Sequence, residues 1–280
     1  MAAVVLDGTR TADKIKLGLK PKVDSLGKMG ITPGLAAVLV GSNPSSQLYV
    51  KLKQKACGEI GIYSEKHELP AEASEKELLD LIKALNDDKR IHGILVQMPL
   101  PKQISAKNIV KAVSPSKDVD GFNPYNNGAV MDGEEFLVSA TPKGVIRLLE
   151  EYGIVLEGKE VVVVNHTIVL GRPLSMLLMN RNATVTICNH KTVDLKKHTL
   201  QAEILISGAG VPMLIKENMV SKGCVVVDAG VSFVDGKVVG DVDFEKVKAK
   251  ASHITPVPGG VGPMTIAMLL ENTILAASKS

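Results

Sequence analysis

The sequence has no tryptophan, and only 3% of its 280 residues are aromatic. A folded core must therefore be built from aliphatic side chains and methionine. Its three cysteines, Cys57, Cys188 and Cys224, are widely spaced and form no CxxC pair. This argues against a disulfide framework and indicates a reducing compartment, with Cys188 and Cys224 expected as buried thiols.

Two further absences limit the possible partners. No apolar run reaches the ~18 residues of a membrane span, and the N-terminal segment lacks the basic and apolar regions of a signal peptide. The net charge is only +3, and the lysines lie among acids rather than in a basic patch with aromatics. We therefore expect a cytoplasmic protein that binds neither a membrane nor nucleic acid.

Short β-branched segments alternate with amphipathic segments, which predicts an α/β fold with parallel sheets covered by helices. A chain of 280 residues exceeds the usual size of one domain, so two are expected. In the first half, strands are predicted at 34–41 and 92–101, and a helix capped by Ser74 is predicted over 74–88. The turn-rich segment 114–128 is predicted to be a loop.

The second half predicts a Rossmann-like, dinucleotide-type sheet. Its strands are expected at 159–167, 183–190, 202–210 and 223–231, after a helix over 143–151. A hairpin should turn at Asp235-Gly236, and a last helix from about Met264 to Ala277 should return to the first domain. The predicted domains are residues 1–138 with 259–280, and residues 139–258.

Tyr49 and Lys53 lie four residues apart in a predicted helix and so share one face. Gln97 follows a predicted strand, and parallel sheets place their sites at the carboxyl ends of strands. A lysine buried there beside Gln97 would have a lowered pKa and could handle protons near neutrality. The alternative is a surface lysine beside a packed tyrosine. Short-chain dehydrogenases also contain Tyr-x-x-x-Lys, but there the pair follows the nucleotide loop, whereas here it precedes it.

The segment "KDVDGFNP" contains Asp118 and Asp120. An aspartate fixed in such a loop can accept two hydrogen bonds from an amino-heterocycle such as a pterin. The alternative is an Asx turn. A metal site is not predicted, because no Asp-x-Asp-x-Asp-Gly loop with a distal glutamate is present.

The segment "VVVVNHTIVLGRPLSMLL" predicts a strand, a loop and a helix with Pro173 at its first position, where helix amides could receive a phosphate. After the next strand come His190 and Lys191, without the acid that NAD sites use for the ribose, which favours NADP. The segment "TPVPGGVGPMT" is either a rigid connector or a turn whose glycines let the backbone approach a flat ligand.

Five segments occur in this order: Tyr49–Lys53, Gly93–Pro101, Lys117–Gly121, Thr141–Gly144 and Pro258–Thr265. With them the chain resembles the bifunctional methylenetetrahydrofolate dehydrogenase/methenyltetrahydrofolate cyclohydrolase family over essentially its whole length. The resemblance implies a cleft between two domains, where methylenetetrahydrofolate is oxidised with NADP and the methenyl product is hydrolysed to 10-formyltetrahydrofolate. It also implies a homodimer formed through the nucleotide-binding domain.

The resemblance also implies residue roles. Lys53 would handle the proton of the hydrolysis, Gln97 would orient it, Tyr49 would stack on the folate and Asp120 would hold the pterin. The turn expected to line the folate pocket comprises Pro258, Gly259, Gly260 and Val261. The residues expected to bind the cofactor are Thr141, Asn165, His166, Thr167, Gly171, Arg172, Pro173, His190, Ala209 and Val231.

The chain departs from the family at two places. The family usually reads Gly-Arg-Ser where this chain has Asn165–Thr167, and Cys-His-Ser-Lys-Thr where it has Cys188–Thr192. Both residues expected to hold the 2′-phosphate are thus histidine, so we predict an NADP preference that weakens from about pH 6 to 8. NAD use, a dehydrogenase without hydrolysis, and a non-catalytic folate- or nucleotide-binding module are the open alternatives.

Overall fold

The computed structural model describes residues 3–280, which divide into two compact units. The six-stranded unit contains the described residues up to Asp13 and Thr141–Thr265, and the three-stranded unit contains Lys14–Ala140 and Ile266–Ser280. The strands are β1 (Val4–Val5), β2 (Gly34–Val40), β3 (Tyr63–Leu69), β4 (Gly93–Val96), β5 (Glu160–Val164), β6 (Thr184–Cys188), β7 (Ile204–Ser207), β8 (Val225–Asp228), β9 (Ser232–Val234), β10 (Lys237–Val239) and β11 (His253–Ile254). The helices are α1 (Gly8–Lys28), α2 (Pro44–Ile60), α3 (Glu75–Asp87), α4 (Ala106–Ala112), α5 (Pro124–Met131), α6 (Ala140–Glu151), α7 (Gly171–Met179), α8 (Leu195–Thr199), α9 (Phe244–Lys248) and α10 (Val261–Ser278).

The three-stranded unit is built on a parallel sheet in the order β3-β2-β4, and its central strand β2 is buried throughout. The helices begin and end where the sequence provides caps. The Ser74 side chain accepts from the Glu77 backbone N–H and Glu77 returns a bond to the backbone of Ser74, so the predicted capping box of α3 is confirmed. Asn43 caps α2, and Gly61 ends it at a φ of 88°.

The last helix, α10, has 18 residues with a mean hydropathy of 1.3, long and apolar enough by composition to cross a membrane. Its buried polar group indicates a core helix of a folded unit instead. Asn272 is fully buried, and its Nδ2 donates to the carbonyls of Val119 and Val138 at 2.9 and 2.8 Å. From Ile266 onward, α10 belongs to the three-stranded unit, to which the sequence assigned it.

The six-stranded unit has a parallel sheet in the order β1-β11-β8-β7-β5-β6, so the dinucleotide-type sheet is confirmed. Strands β5 to β8 are the four predicted ones, and each is shorter than predicted because its polar ends lie in loops. The predicted hairpin is also confirmed. Strands β9 and β10 pair antiparallel around Asp235 and Gly236, whose φ values of 50° and 74° suit a type I′ turn.

The structure differs from the sequence prediction at three places. Residues 3–13 and 259–265 lie in the six-stranded unit, not in the first domain, because β1 pairs with β11 and the Thr9 N–H donates to the Gly259 carbonyl at 3.0 Å. The predicted loop 114–128 includes the start of α5, which Asn123 caps. Pro173 is the third residue of α7 rather than the first, because the helix begins at Gly171.

Candidate active site

Lys53 lies on the buried face of α2 rather than on its exposed face. The buried positions recur at the three- and four-residue intervals of one helical face: Ser46, Val50, Lys53, Ala56, Cys57 and Ile60. Lys53 is only 8% exposed, whereas Lys51 and Lys55 on the same helix are exposed. The surface-lysine alternative is therefore wrong, and α2 carries an amine into the interior of the unit.

Gln97, which directly follows β4, holds the Lys53 amine. Lys53 Nζ donates to Gln97 Oε1 at 3.1 Å, and Gln97 Nε2 donates to the Met98 carbonyl at 2.8 Å, which fixes the orientation of the amide. Burial lowers the pKa of Lys53, while the Asp120 carboxylate and the Cys57 thiol oppose that shift. The amine therefore loses its proton more readily than an exposed lysine does.

Asp118 is the residue that forms the turn in the loop between α4 and α5. It is buried, and its carboxylate accepts from the backbone N–H groups of Phe122 and Asn123 at 3.2 and 2.7 Å and from Asn126 Nδ2 at 3.0 Å. The Asx-type alternative thus describes Asp118, and leaves Asp120 for another role.

Asp120 is half-buried, and its carboxylate makes no hydrogen bond to any of residues 3–280. Burial raises its pKa to about 6, the charge of Lys53 opposes that rise and the Asp118 carboxylate adds to it. A carboxylate with open hydrogen-bonding capacity beside a buried amine is suited to accept donors from a ligand.

The structure brings Lys53, Gln97 and Asp120 together, and Tyr49 lies half-buried one helical turn before Lys53, all within the three-stranded unit. The Pro258–Val261 turn belongs to the six-stranded unit. There the Val257–Pro258 bond is cis and Gly259 has a φ of 102°, a conformation that favours glycine.

The loop between β5 and α7 is held by the side chain of Asn165. Its Oδ1 accepts from the Thr167 N–H and hydroxyl, both at 2.8 Å, and from the Gly171 N–H at 2.9 Å, while its Nδ2 donates to the Gly208 carbonyl. Gly171 is needed because a Cβ there would collide with the Asn165 carbonyl. The Asn165 side chain is therefore occupied in shaping the loop.

The backbone N–H groups at the start of α7 have acceptors within the protein. Gly171 donates to Asn165 Oδ1, Arg172 to the Thr167 carbonyl at 3.0 Å and Leu174 to the Leu170 carbonyl at 2.9 Å, while Pro173 has no N–H. An anion at this loop would thus be held by side chains, not by the predicted helix amides. Arg172 is exposed, and its one side-chain hydrogen bond to residues 3–280 runs from Nε to the His166 carbonyl at 3.1 Å.

His166 and His190 meet at the carboxyl ends of the neighbouring parallel strands β5 and β6. Their ring centroids are 5.8 Å apart with the planes tilted by 46°. The segment 188–193 after β6 contains Lys191 and no acid. The segment thus lacks the acid that would bind the hydroxyls of an unphosphorylated ribose. Its hydrogen-bond donors, His190 and Lys191, together with His166, suit a ribose that carries a phosphate.

Two buried aspartates that sequence analysis missed hold the loops after β7 and β8. Asp241 accepts from the Ser207 hydroxyl at 2.8 Å, the Ala209 N–H and the Val211 N–H at 3.0 Å. The available signal was an aspartate directly after an apolar strand, as in the sequence "VVVD" that ends at Asp228.

The remaining predicted cofactor residues lie in the six-stranded unit with fewer constraints. Thr141 lies in α6, and its hydroxyl is 3.1 Å from that of Thr265. Thr167, Ala209 and Val231 are exposed on the loops after β5, β7 and β8. The structure thus gathers the predicted cofactor residues around the carboxyl ends of these strands, apart from Thr141.

Two family models match the chain. The catalytic-domain model of tetrahydrofolate dehydrogenase/cyclohydrolase matches residues 6–120, and the NAD(P)-binding-domain model of the same family matches residues 139–280. The bifunctional protein FolD of Nautilia profundicola is 54% identical over 274 residues, which cover 98% of this chain and 96% of that protein.

Solved structures agree over the full length. The bifunctional FolD methylenetetrahydrofolate dehydrogenase/cyclohydrolase of Campylobacter jejuni is 49% identical with a TM-score of 0.98, and 99% of each chain is covered. The Trypanosoma brucei methylenetetrahydrofolate dehydrogenase-cyclohydrolase, complexed with NADP cofactor and inhibitor, is 35% identical with a TM-score of 0.96, covering 100% of this chain and 98% of that one.

Proposed function

This chain belongs to the tetrahydrofolate dehydrogenase/cyclohydrolase family, and we propose that it oxidises methylenetetrahydrofolate with NADP and hydrolyses the methenyl product to 10-formyltetrahydrofolate. The observation that carries the second activity is the buried Lys53 amine hydrogen-bonded to Gln97. A protein that only binds folate or nucleotide has no use for a desolvated lysine, which costs folding energy unless it is paired.

Lys53 acts as the proton carrier of the hydrolysis. As water attacks the methenyl carbon, the neutral amine takes one proton from it, and the ammonium then returns that proton to N5 as the bond from the carbon to N5 breaks. The remaining hydroxyl proton leaves to solvent as the formyl carbonyl forms, so that the reaction releases one proton overall. Two positive charges ~4 Å apart repel by about 4 kcal/mol at an effective dielectric of ~20. An amine whose pKa is lowered by burial avoids that repulsion with the methenyl cation.

Asp120 and Tyr49, in the same unit as Lys53, position the substrate. Asp120 accepts hydrogen bonds from the pterin, a role supported by its open carboxylate. Tyr49 stacks on the folate, a role supported by its place one turn from Lys53. In the six-stranded unit, the Pro258–Val261 turn is suited to a flat ligand, since its glycines permit close approach of the backbone.

When bound, NADP supplies the hydride acceptor for the first reaction. Arg172 and the His166–His190 pair hold its phosphates by their side chains, because the amides of α7 are already bonded. Asn165 holds the loop after β5 in shape, and Asp241 holds the loop after β7. The residues proposed to line the cofactor are Thr141, Thr167, Gly171, Pro173, Ala209 and Val231.

We also propose a cytoplasmic homodimer formed through the six-stranded unit. Strand β6 ends the six-stranded sheet with one unpaired edge, and its Ile187 is 45% exposed. Such an edge is a template for pairing with another chain. Cys57, Cys188 and Cys224 are all free and buried, which suits a reducing compartment. Sedimentation velocity at several concentrations tests the dimer, and a monomer throughout would contradict it.

The proposed activities are tested by supplying methylenetetrahydrofolate with NADP, and separately with NAD, and following the methenyl absorbance. Formation followed by enzyme-dependent decay to 10-formyltetrahydrofolate is expected. Formation without catalysed decay would indicate a dehydrogenase alone. Binding of both ligands without any turnover would indicate a non-catalytic module and overturn the proposal.

A further inference from the structure

Within the proposed function, we propose that His166 and His190 form one proton-dependent subsite for the 2′-phosphate of NADP, so that the choice between NADP and NAD varies with pH. The first support is position. The two rings are 5.8 Å apart at the carboxyl ends of the adjacent strands β5 and β6, where a dinucleotide sheet places the adenosine ribose. A phosphate oxygen between two rings at this separation is within reach of an N–H group from each.

The two loops are held in shape independently of any ligand. The Asn165 side chain fixes the loop that carries His166 through bonds to Thr167 and Gly171. In the other loop, the Asn189 N–H donates to Thr192 Oγ1 and the Lys191 N–H donates to Asn189 Oδ1, both at 2.8 Å. The backbone on either side of each histidine is therefore pinned by short polar contacts. A preorganised pair loses little conformational entropy on binding an anion.

The charges around the pair favour an anion but leave the histidines to decide its affinity. Arg172 lies in the first turn of α7, which follows the loop of His166, and the loop of His190 carries Lys191 and, beyond it, Asp194. Asp194 is engaged as the cap of α8, where its carboxylate accepts from the Lys197 N–H at 3.2 Å. The neighbouring loop after β7, residues 208–211, has no charged side chain.

The proton dependence follows from the chemistry of imidazole, because only the protonated ring carries the positive charge that attracts a phosphate. Binding of the anion by such rings is therefore linked to proton uptake. A site of fixed cations behaves in the opposite way. A phosphate monoester gains its second negative charge near pH ~6, so lysine and arginine alone would bind it more tightly as the pH rises. The sign of the pH dependence therefore distinguishes the two kinds of site.

The test measures binding of adenosine 2′,5′-bisphosphate and of 5′-AMP by calorimetry from about pH 6 to about pH 8. The affinity ratio of the two ligands should fall about tenfold or more across this range, since hydrogen bonds from charged imidazolium groups to the 2′-phosphate are lost. At about pH 7.5, binding of the bisphosphate should take up about one proton, seen as a dependence of the heat on the ionisation enthalpy of the buffer.

Variants locate the effect. His166→Gln and His190→Gln should each weaken bisphosphate binding at about pH 6 and reduce proton uptake, with 5′-AMP binding kept as the sign of a folded site. His198→Gln, in α8 of the same unit, is the matched control and should behave as the wild type. His166→Arg should remove the fall and leave a ratio that is flat or rises with pH.

A wild-type ratio that is flat or rises with pH, without proton uptake, would overturn the subsite. The experiment uses no folate, so its outcome is independent of turnover. An inactive protein that shows proton-linked bisphosphate binding would refute the proposed function but support the subsite. The enzyme could instead be active, show a kcat/KM ratio for NADP over NAD that does not change with pH, and take up no proton on binding. That outcome would refute the subsite and leave the proposed function intact.

Discussion

Asp120 in the three-stranded unit and Asp228 in the six-stranded unit have the same raised pKa of about 6, and burial is the main cause in both. Their hydrogen bonds differ. The Asp228 carboxylate accepts from the backbone N–H groups of Gly230, Asp241 and Val242 at 2.9, 3.1 and 2.8 Å. The Asp120 carboxylate accepts none from residues 3–280.

The comparison shows that a perturbed pKa does not by itself identify a functional carboxylate. The carboxylate oxygens of Asp228 already accept hydrogen bonds from backbone N–H groups. Asp228 therefore stabilises two loops and is not available to bind a ligand. Asp120 keeps its acceptors and lies near a buried amine, as a binding residue should. Counting the hydrogen bonds of each carboxylate separates the two roles.

The largest effect is expected for Lys53→Met, which removes the buried amine and keeps an unbranched apolar side chain. Hydrolysis of the methenyl substrate should fall about 10³-fold, because the proton carrier is lost. Hydride transfer should change by less than about tenfold, since it needs no general base. Both rates are measured with Lys51→Met, an exposed position on the same helix, as the control. Loss of both activities in a folded, folate-binding variant would contradict separate roles.

The second largest effect is expected for Asp228, in the pH dependence of the free energy of unfolding. Because burial raises the pKa of Asp228 from 3.8 to about 6, its stabilising contribution is full below pH ~3.8 and is lost as the pH rises through ~6. The free energy of unfolding of the wild type, relative to Asp228→Asn, should therefore increase by on the order of 3 kcal/mol from about pH 8 to about pH 4. Urea titrations measure it, with Asp235→Asn in the exposed hairpin turn as control. Parallel pH curves for wild type and Asp228→Asn would be the contrary result.

The features that could be predicted from the sequence are those that depend on residues close together in the chain. Helical spacing put Tyr49 and Lys53 on one face, and the strand-end rule brought Gln97 to the lysine, a contact the structure contains. Lysine at a position of the apolar stripe between Val50 and Cys57 is a signal for its burial that could also have been used. The capping box of α3 and the hairpin turn were local in the same sense.

The rest depends on contacts between distant residues. Strand β3, "YSEKHEL", is a polar edge strand, so it lacks the continuous apolar run that marks a strand buried on both faces. Strands β1 and β11 have two residues each and are defined by pairing across the chain, as Val4 does with His253. The bonds of Asp241 to Ser207 span 34 residues, and no local pattern predicts them.

A smaller effect is expected for Asp120→Ala. Folate affinity should fall about 10- to 100-fold, because charge-assisted hydrogen bonds to the pterin are lost. The unfolding free energy at neutral pH should not fall, since the variant loses no bond to a backbone group among residues 3–280 and no longer carries a carboxylate whose raised pKa opposes folding when it is ionised. Titration with folate and urea unfolding of the same sample test both halves. Unchanged affinity would refute the anchor role, and a large loss of stability would erase the contrast between the two aspartates.

The smallest effect is expected for Gln97→Leu, which has a similar volume but no acceptor for Lys53 Nζ. The ammonium form of Lys53 loses its hydrogen bond, so its pKa should fall further and the acid limb of the hydrolysis profile should move to lower pH. Hydrolysis should slow about tenfold because the amine is less well oriented, with hydride transfer nearly unchanged. The profile of kcat/KM against pH measures both effects, and Gln103→Leu, at an exposed glutamine, is the control. An unmoved acid limb would mean that Gln97 does not tune the amine, and that burial of Lys53 and the nearby Asp120 carboxylate set its proton affinity.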